Sequence, residues 1–255
     1  MNKQYDVAAL GELLIDFTEN GTSGQGNPVY EANPGGAPCN VLSMLNKLGH
    51  HTAFLGKVGD DIIADAKIFH FGTLSMTNEP VRSATRHAIK VAKENGAILS
   101  FDPNIREPLW KDMEDARTQM AYALSVCDIL KISDNEIQWF SGKEDYTEGI
   151  HMLQQTYQIP LILLSMGKDG SRAYYKDMLV EVPAFLQKNT IETTGAGDTF
   201  GACCLHHILK YGLDNLTKQQ LKEMLTFANA AASIITTRKG ALRVMPSLEE
   251  IQRLL

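Results

Sequence analysis

An α/β fold on a mostly parallel sheet, covered by helices on both faces, is what this sequence predicts, and three observations predict it. Short apolar runs recur along the chain, stretches with helical spacing alternate with them, and the last run leads into two β-rich segments close enough to form a hairpin. Tyr5 to Gly11 is the first apolar run and ends in glycine; Ala37 to Leu48 has helical spacing, and Thr52 to Val58 supplies the next strand. Ala66 to Phe71 precedes a helix from about Pro80 to Glu94, Ala97 to Phe101 precedes one near Asp112 to Ser125, and Asp128 to Ile132 precedes one from Asp134 to Phe140. Leu161 to Ser165 is the last such strand, with Ser171–Tyr175 and Leu179–Val182 as a hairpin at the sheet edge. Three helices, starting near Gly197, Thr217 and Ser247, close the chain. Only Glu19 to Pro34 stands outside this scheme. It is rich in Gly, Asn, Ser and Pro and reads as a long loop with Val29 to Ala32 as an exposed strand; long excursions of this kind are often lids or binding loops.

A chain of 255 residues is within reach of one large α/β domain, so residues 1–255 are expected to form a single domain. Its 44% hydrophobic and 21% charged content rules out global disorder. The formal net charge of −6 speaks against nucleic acid or an anionic membrane as partner, because either would be repelled by the mean field of the protein. Any anionic ligand must be held by local chemistry. Cys39, Cys127, Cys203 and Cys204 show no CxxC spacing and read as reduced, mostly buried thiols. Asp6, Glu12 and Asp16 interrupt the first apolar stretch, and no run approaches the ~20 apolar residues of a spanning helix, so a cytoplasmic protein is expected. The adjacent pairs His50-His51 and His206-His207 do not make metal sites by themselves, since neighbours on a helix or strand face different ways.

The sharpest local signal is Thr193-Thr194-Gly195-Ala196-Gly197-Asp198-Thr199-Phe200, a small-residue turn running into a helix. Amides at a helix start favour an anion, and glycines let a ligand approach the backbone. Taken alone, the same residues also suit a tight turn with Asp198 as a capping residue. No GxxxxGK[ST] occurs and no GxGxxG follows a strand, so neither a P-loop nor the glycine fingerprint of an NAD-linked oxidoreductase is present.

Gly35-Gly36-Ala37-Pro38-Cys39-Asn40, continuing through Leu48-Gly49 to Gly56-Lys57-Val58-Gly59-Asp60-Asp61, resembles the N-terminal signature of the ribokinase/PfkB carbohydrate kinase family, and Thr193 to Phe200 resembles its C-terminal signature. Two signatures in this order are far more specific than either alone. The resemblance implies a ribokinase-like three-layer α/β/α sandwich and transfer of a phosphoryl group from ATP, assisted by Mg²⁺, to a primary hydroxyl of a small sugar. By the same resemblance Asp198 is the catalytic base, Gly195, Ala196 and Gly197 form the anion hole, and Asp16, Gly35, Gly36 and Asn40 bind sugar hydroxyls. Asp102-Pro103-Asn104-Ile105-Arg106 follows a strand, so its polar groups emerge at the carboxyl end of the sheet, and it is similar to the DPNxR segment of fructokinases and ketodeoxygluconate kinases. This places Asp102, Asn104 and Arg106 among the substrate-binding residues and makes fructose the favoured sugar, with 2-keto-3-deoxygluconate and ribose as alternatives. The nucleotide is assigned to Lys131, Ser165, Gly167, Gly170, Asn229, Thr237 and Gly240, and Glu136 to Mg²⁺ through water.

The sequence departs from the family pattern in three places. Ser133 stands where the family often has Asn. Glu192 stands where it usually places Asp, at a spot associated with a monovalent cation; the extra methylene moves the carboxylate and counts against K⁺. About sixty residues are expected to be lost between Asp61 and Ile62, by comparison of length, which leaves a reduced β-lid at about 19–34. A homodimer through the lid would need the missing strands, and a catalytically weakened sugar- or nucleotide-binding protein is the alternative that the loss raises.

Overall fold

In the computed structural model, which describes residues 3–56 and 60–255, the first apolar run forms β1 (Tyr5–Leu10). The chain then leaves the main sheet as a separate antiparallel hairpin, β2 (Leu14–Thr22) and β3 (Pro28–Gly35). It returns through α1 (Ala37–Lys47) to β4 (Thr52–Leu55), which pairs in parallel with β1. On the other side of β1 the parallel set continues with β5 (Ala66–Gly72), β6 (Ile98–Asp102), β7 (Ile129–Ser133) and β8 (Leu161–Ser165); antiparallel β9 (Ser171–Tyr175) and β10 (Met178–Val182) finish that edge. The resulting order is β10-β9-β8-β7-β6-β5-β1-β4.

Strand side chains alternate between faces, and that alternation builds two cores. Val7, Ala9, Leu161 and Leu163 pack beneath α1 and the long C-terminal helices, while Ala8, Leu10, Ile162 and Leu164 belong to the opposite core. That second core is covered by α2 (Asp60–Ala64), α3 (Val81–Glu94), α4 (Met113–Leu124), α5 (Asp134–Ser141) and α6 (Tyr146–Tyr157). The first is covered by α1, α7 (Ala196–Tyr211), α8 (Lys218–Ile235) and α9 (Leu248–Leu254). This is the expected three-layer sandwich. All four cysteines are buried and free, and among the described residues no helix is long and apolar enough to cross a membrane.

The structure corrects the sequence reading in four places. Glu19 to Pro34 is no loop: residues 14–35 are a hairpin whose turn lies at residues 23–27, because Gly, Asn and Pro are tolerated in a two-stranded ribbon with solvated edges. The strand expected from Thr52 to Val58 ends at Leu55, and residues 57–59 of the N-terminal signature lie outside the described residues. Helix α2, an element absent from the sequence reading, spans the Asp61–Ile62 junction and precedes β5. Helix α6 was not foreseen, since Gly149 in its middle reads as a breaker. Its Asp145 cap accepts the Thr147 and Glu148 amides, and the glycine is needed because a Cβ there would lie 2.9 Å from Ile137 Cγ1.

Register divides the hairpin into unlike faces. Asp16 pairs with Asn33 and Thr18 with Glu31 on one face; Ile15, Phe17 and Tyr30 lie on the other, with exposures of 63%, 68% and 54%.

Candidate active site

The site forms where α1, α7 and the carboxyl ends of β6 and β7 converge. Gly195, at φ +74, is the N-cap of α7, and no side chain caps the helix. A Cβ on Gly195 would lie 2.8 Å from the Ala241 Cβ, so only glycine makes this turn against that neighbour. The Ala196 amide donates to Thr193 O at 3.1 Å, which takes it out of the expected anion hole; the Gly197 and Asp198 amides follow it in the first turn, where intrahelical acceptors are lacking. Asp198 Oδ2 accepts from Asn40 Nδ2 at 2.8 Å, across 158 residues of sequence. Burial pushes the Asp198 carboxyl up from its ordinary value, against the Asn40 hydrogen bond and the charges of Lys131 and Arg106.

Asn40 is brought here by α1, whose own start demands glycine: Gly36 has φ +115, and a Cβ on it would sit 2.3 Å from Glu12 O. Asn40 is 4% exposed and its Oδ1 has no partner among the described residues, a buried acceptor waiting for a donor. Glu12 was missed by the sequence reading. Its carboxylate accepts the Ala37 amide at 3.2 Å and lies near enough to feel Asp198 and Arg106; burial raises its pKa. The signal was available, since a carboxylate two residues beyond an apolar strand sits at the ligand end of a parallel sheet. His70 was missed as well. It shares a cavity of about 10 Å³ with Glu12, Asp102 and Asn104, and burial lowers its pKa to about 4, so it is neutral.

Below α7, Lys131 Nζ lies 3.0 Å from Asp102 Oδ2 in a buried ion pair. Burial, with Glu136 and Asp198 nearby, lifts the Asp102 carboxyl to about 7 despite Lys131. Burial opposes the Lys131 charge, but Asp102, Glu136 and Asp198 outweigh it and keep the ammonium protonated. The same ammonium would meet a Cβ on Gly197 at 3.0 Å, so it abuts the first turn of α7. Glu136 closes a capping box: its carboxylate accepts the Ser133 amide, the Ser133 hydroxyl at 2.8 Å and the Ile105 amide at 3.0 Å. Serine thus serves where the family often has asparagine.

A cavity of about 430 Å³ opens on the far side of Gly197, lined by Lys131, Ser165, Gly167, Gly170 and Asn229 among others. Not every assigned nucleotide residue contributes a free polar group. Asn229 Oδ1 accepts from Ser171 Oγ, and its Nδ2 donates to Val182 O and Pro183 O, so the side chain pins β9 and β10 to α8. Gly170, at φ +98, is required because a Cβ would meet Val182 O at 2.2 Å. Thr237 and Gly240 lie off the lining, where Thr236 takes the place expected of Thr237. Arg106 is exposed and its Nη1 donates to Ile105 O; Asn104, at φ +45, holds the preceding turn. Asp16 is exposed on the polar face of the hairpin, with its Oδ2 2.4 Å from where a Cβ of Gly35 would be. The histidine pairs meet across the fold, His50 Nε2 and His206 Nδ1 lying 2.7 Å apart, but among the described residues no three His, Cys, Asp or Glu groups converge on an ion.

A buried carboxyl at a helix start without a side-chain cap, a buried ammonium and a neighbouring cavity of about 430 Å³ are an arrangement in keeping with a phosphotransferase of the carbohydrate kinase type. Residues 4–65 and 61–248 match the pfkB family carbohydrate kinase profile, and the chain belongs to that family. It is 33% identical to probable fructokinase-2 of Arabidopsis thaliana over 94% of this chain and 93% of the relative. To fructokinase-1 of Zea mays it is 31% identical, over 98% and 97%. Two solved structures share the fold at a TM-score of 0.85. One is a fructokinase double mutant of Vibrio cholerae O395 with fructose, ADP and potassium ion bound, 23% identical over 100% of this chain and 99% of that one. The other is a fructokinase of Xylella fastidiosa with bound ATP, 22% identical over 98% of each.

Proposed function

We propose that this chain transfers the γ-phosphoryl group of ATP to a primary hydroxyl of a small sugar, fructose before 2-keto-3-deoxygluconate or ribose. The observation that carries the reading is the Asn40–Asp198 pair at the uncapped start of α7, with the 430 Å³ cavity on its other side. Fructose is favoured because the relatives above are named fructokinases and the Vibrio protein holds fructose with ADP.

In the transfer, the sugar oxygen attacks the γ-phosphorus while its proton passes to the Asp198 carboxylate; the bond to the bridging oxygen breaks and ADP leaves with that electron pair. Asn40 holds one carboxylate oxygen through Nδ2 and offers its unpartnered Oδ1 to a sugar hydroxyl. Asp16 and the Gly35–Gly36 backbone supply the remaining hydroxyl contacts from the lid side. The Gly197 and Asp198 amides and the Lys131 ammonium face the transferred group with fixed positive ends, which need not reorganise as charge develops. Asp102, Glu136 and Asp198 outnumber Lys131, an excess of negative charge that favours a divalent cation nearby. Glu136, with three of its roughly four lone-pair sites filled, would hold Mg²⁺ through water. When bound, the ion neutralises phosphate oxygens.

The lid is proposed to be reduced at Asp61–Ile62. The two family-matched segments overlap at residues 61–65, and the Arabidopsis match extends over 306 residues, more than the 255 of this chain. A panel of fructose, 2-keto-3-deoxygluconate and ribose with ATP, read by ADP release, tests the function. The highest kcat/KM is expected for fructose, and sugar binding without ADP release would favour a binding protein instead.

A further inference from the structure

Glu192 lies immediately before the paired threonines that lead into the anion site, and three hydrogen bonds tie this stretch to the loop after α8. The Ile191 and Glu192 amides donate to Thr236 O at 2.8 and 3.3 Å, and Glu192 Oε1 accepts the Gly240 amide at 2.5 Å. Gly240 is buried at φ +84, so its amide depends on that carboxylate for an acceptor. The next residue, Ala241, is the one against which the α7 cap Gly195 packs. The loop at 236–241 is therefore the floor of the anion site, and Glu192 straps it in place.

The family associates this position with a monovalent cation, and the Vibrio relative was solved with potassium ion bound. A cation is held by oxygen lone pairs, and here the protein itself engages the oxygens such an ion would use: Glu192 Oε1 accepts the Gly240 amide, and Thr236 O accepts two amides. An aspartate, shorter by about 1.5 Å, could not reach the Gly240 amide from the same backbone; the extra methylene of glutamate closes the gap.

We propose that Glu192 is a positioning residue that replaces a bridging cation by a direct hydrogen bond, so that this kinase works without a monovalent cation. The inference rests on the phosphoryl-transfer reading above. The test uses the full chain with ATP and fructose in KCl and in choline chloride at equal ionic strength, with ADP affinity measured by calorimetry in both. Wild-type kcat and ADP affinity are expected to agree within about twofold between the salts. In choline chloride, Glu192→Ala and Glu192→Asp are expected to lower kcat about tenfold and weaken ADP with little change in fructose KM, while Glu192→Gln, which keeps an oxygen at the same reach, retains most activity. Thermal unfolding of each variant separates loss of the strap from loss of the fold. Strong stimulation of the wild type by K⁺, or a Glu192→Ala enzyme equal to wild type in choline, overturns the proposal. Absence of ADP release with every sugar in both salts would instead defeat the kinase reading, and the salt comparison of ADP affinity would still judge the strap.

Discussion

The proposed nucleotide half and the proposed sugar half of this site are built to different standards. Around the proposed nucleotide cavity the walls come from the ends of β7 and β8, from α7 and α8 and from residues 184–193, and Asn229 spends both ends of its amide on the protein itself. On the proposed sugar side Asn40 Oδ1 is buried without a partner among the described residues, and the nearby hairpin has an exposed apolar face. A cavity whose walls are already satisfied can bind on arrival, whereas a site that is completed by its ligand binds at the cost of ordering it. Substitutions should therefore separate by half, and chemistry should fail only where the halves meet.

The largest effect is expected at that meeting point: Asp198→Asn lowers kcat by roughly 10²–10⁴ while leaving fructose and ATP affinities within a few fold, as removal of a general base does. Near-normal turnover in a coupled assay would strip Asp198 of the role. Next, Asp16→Ala and Asn40→Ala raise the fructose KM about tenfold or more but shift that of ATP less than about threefold, because each deletes a partner for sugar hydroxyls. Equal losses for both substrates would indicate a damaged fold and erase the contrast between the halves. A smaller effect follows from the lid. Measured side by side with a family member that carries a longer lid, this chain should show a fructose KM raised several fold, about threefold or more, with similar ADP affinity, since a lid excludes water from the sugar. Equal fructose KM values would mean that the hairpin suffices.

The smallest effect sharpens the junction itself. Asp198 must be ionised to act, so activity is lost as pH falls through its pKa, which burial places above the ordinary carboxylate value. The Asn40 hydrogen bond favours the charged form; Asn40→Ala therefore moves the acid limb of the kcat profile to higher pH. An unmoved limb would uncouple the two residues.

What the sequence disclosed follows the same division. Strands buried on both faces, such as Leu161 to Leu164, are continuous apolar runs, and the Thr193 to Phe200 turn carries its glycines in local order, so both could be read without coordinates. The hairpin was harder, because a ribbon solvated on both edges permits turn-forming residues within its strands. Contacts between distant segments left no local trace: the Asn40–Asp198 bond, the Lys131–Asp102 pair beneath Gly197 and the Glu192–Gly240 link each join residues far apart in the chain. Helix α6 hid for the opposite reason, since a glycine chosen for contact with Ile137 looks like a break.

The 3.0 Å between Lys131 Nζ and the absent Cβ of Gly197 binds the histories of two positions together. A methyl at 197 would oblige the Lys131 ammonium to give by a few tenths of an ångström while Asp102 holds it in a buried pair. A shorter residue 131 would make room for that methyl but would leave Asp102 facing Glu136 and Asp198 without its cation. Positions 102, 131 and 197 are therefore coupled, and a substitution at one should change what the other two tolerate.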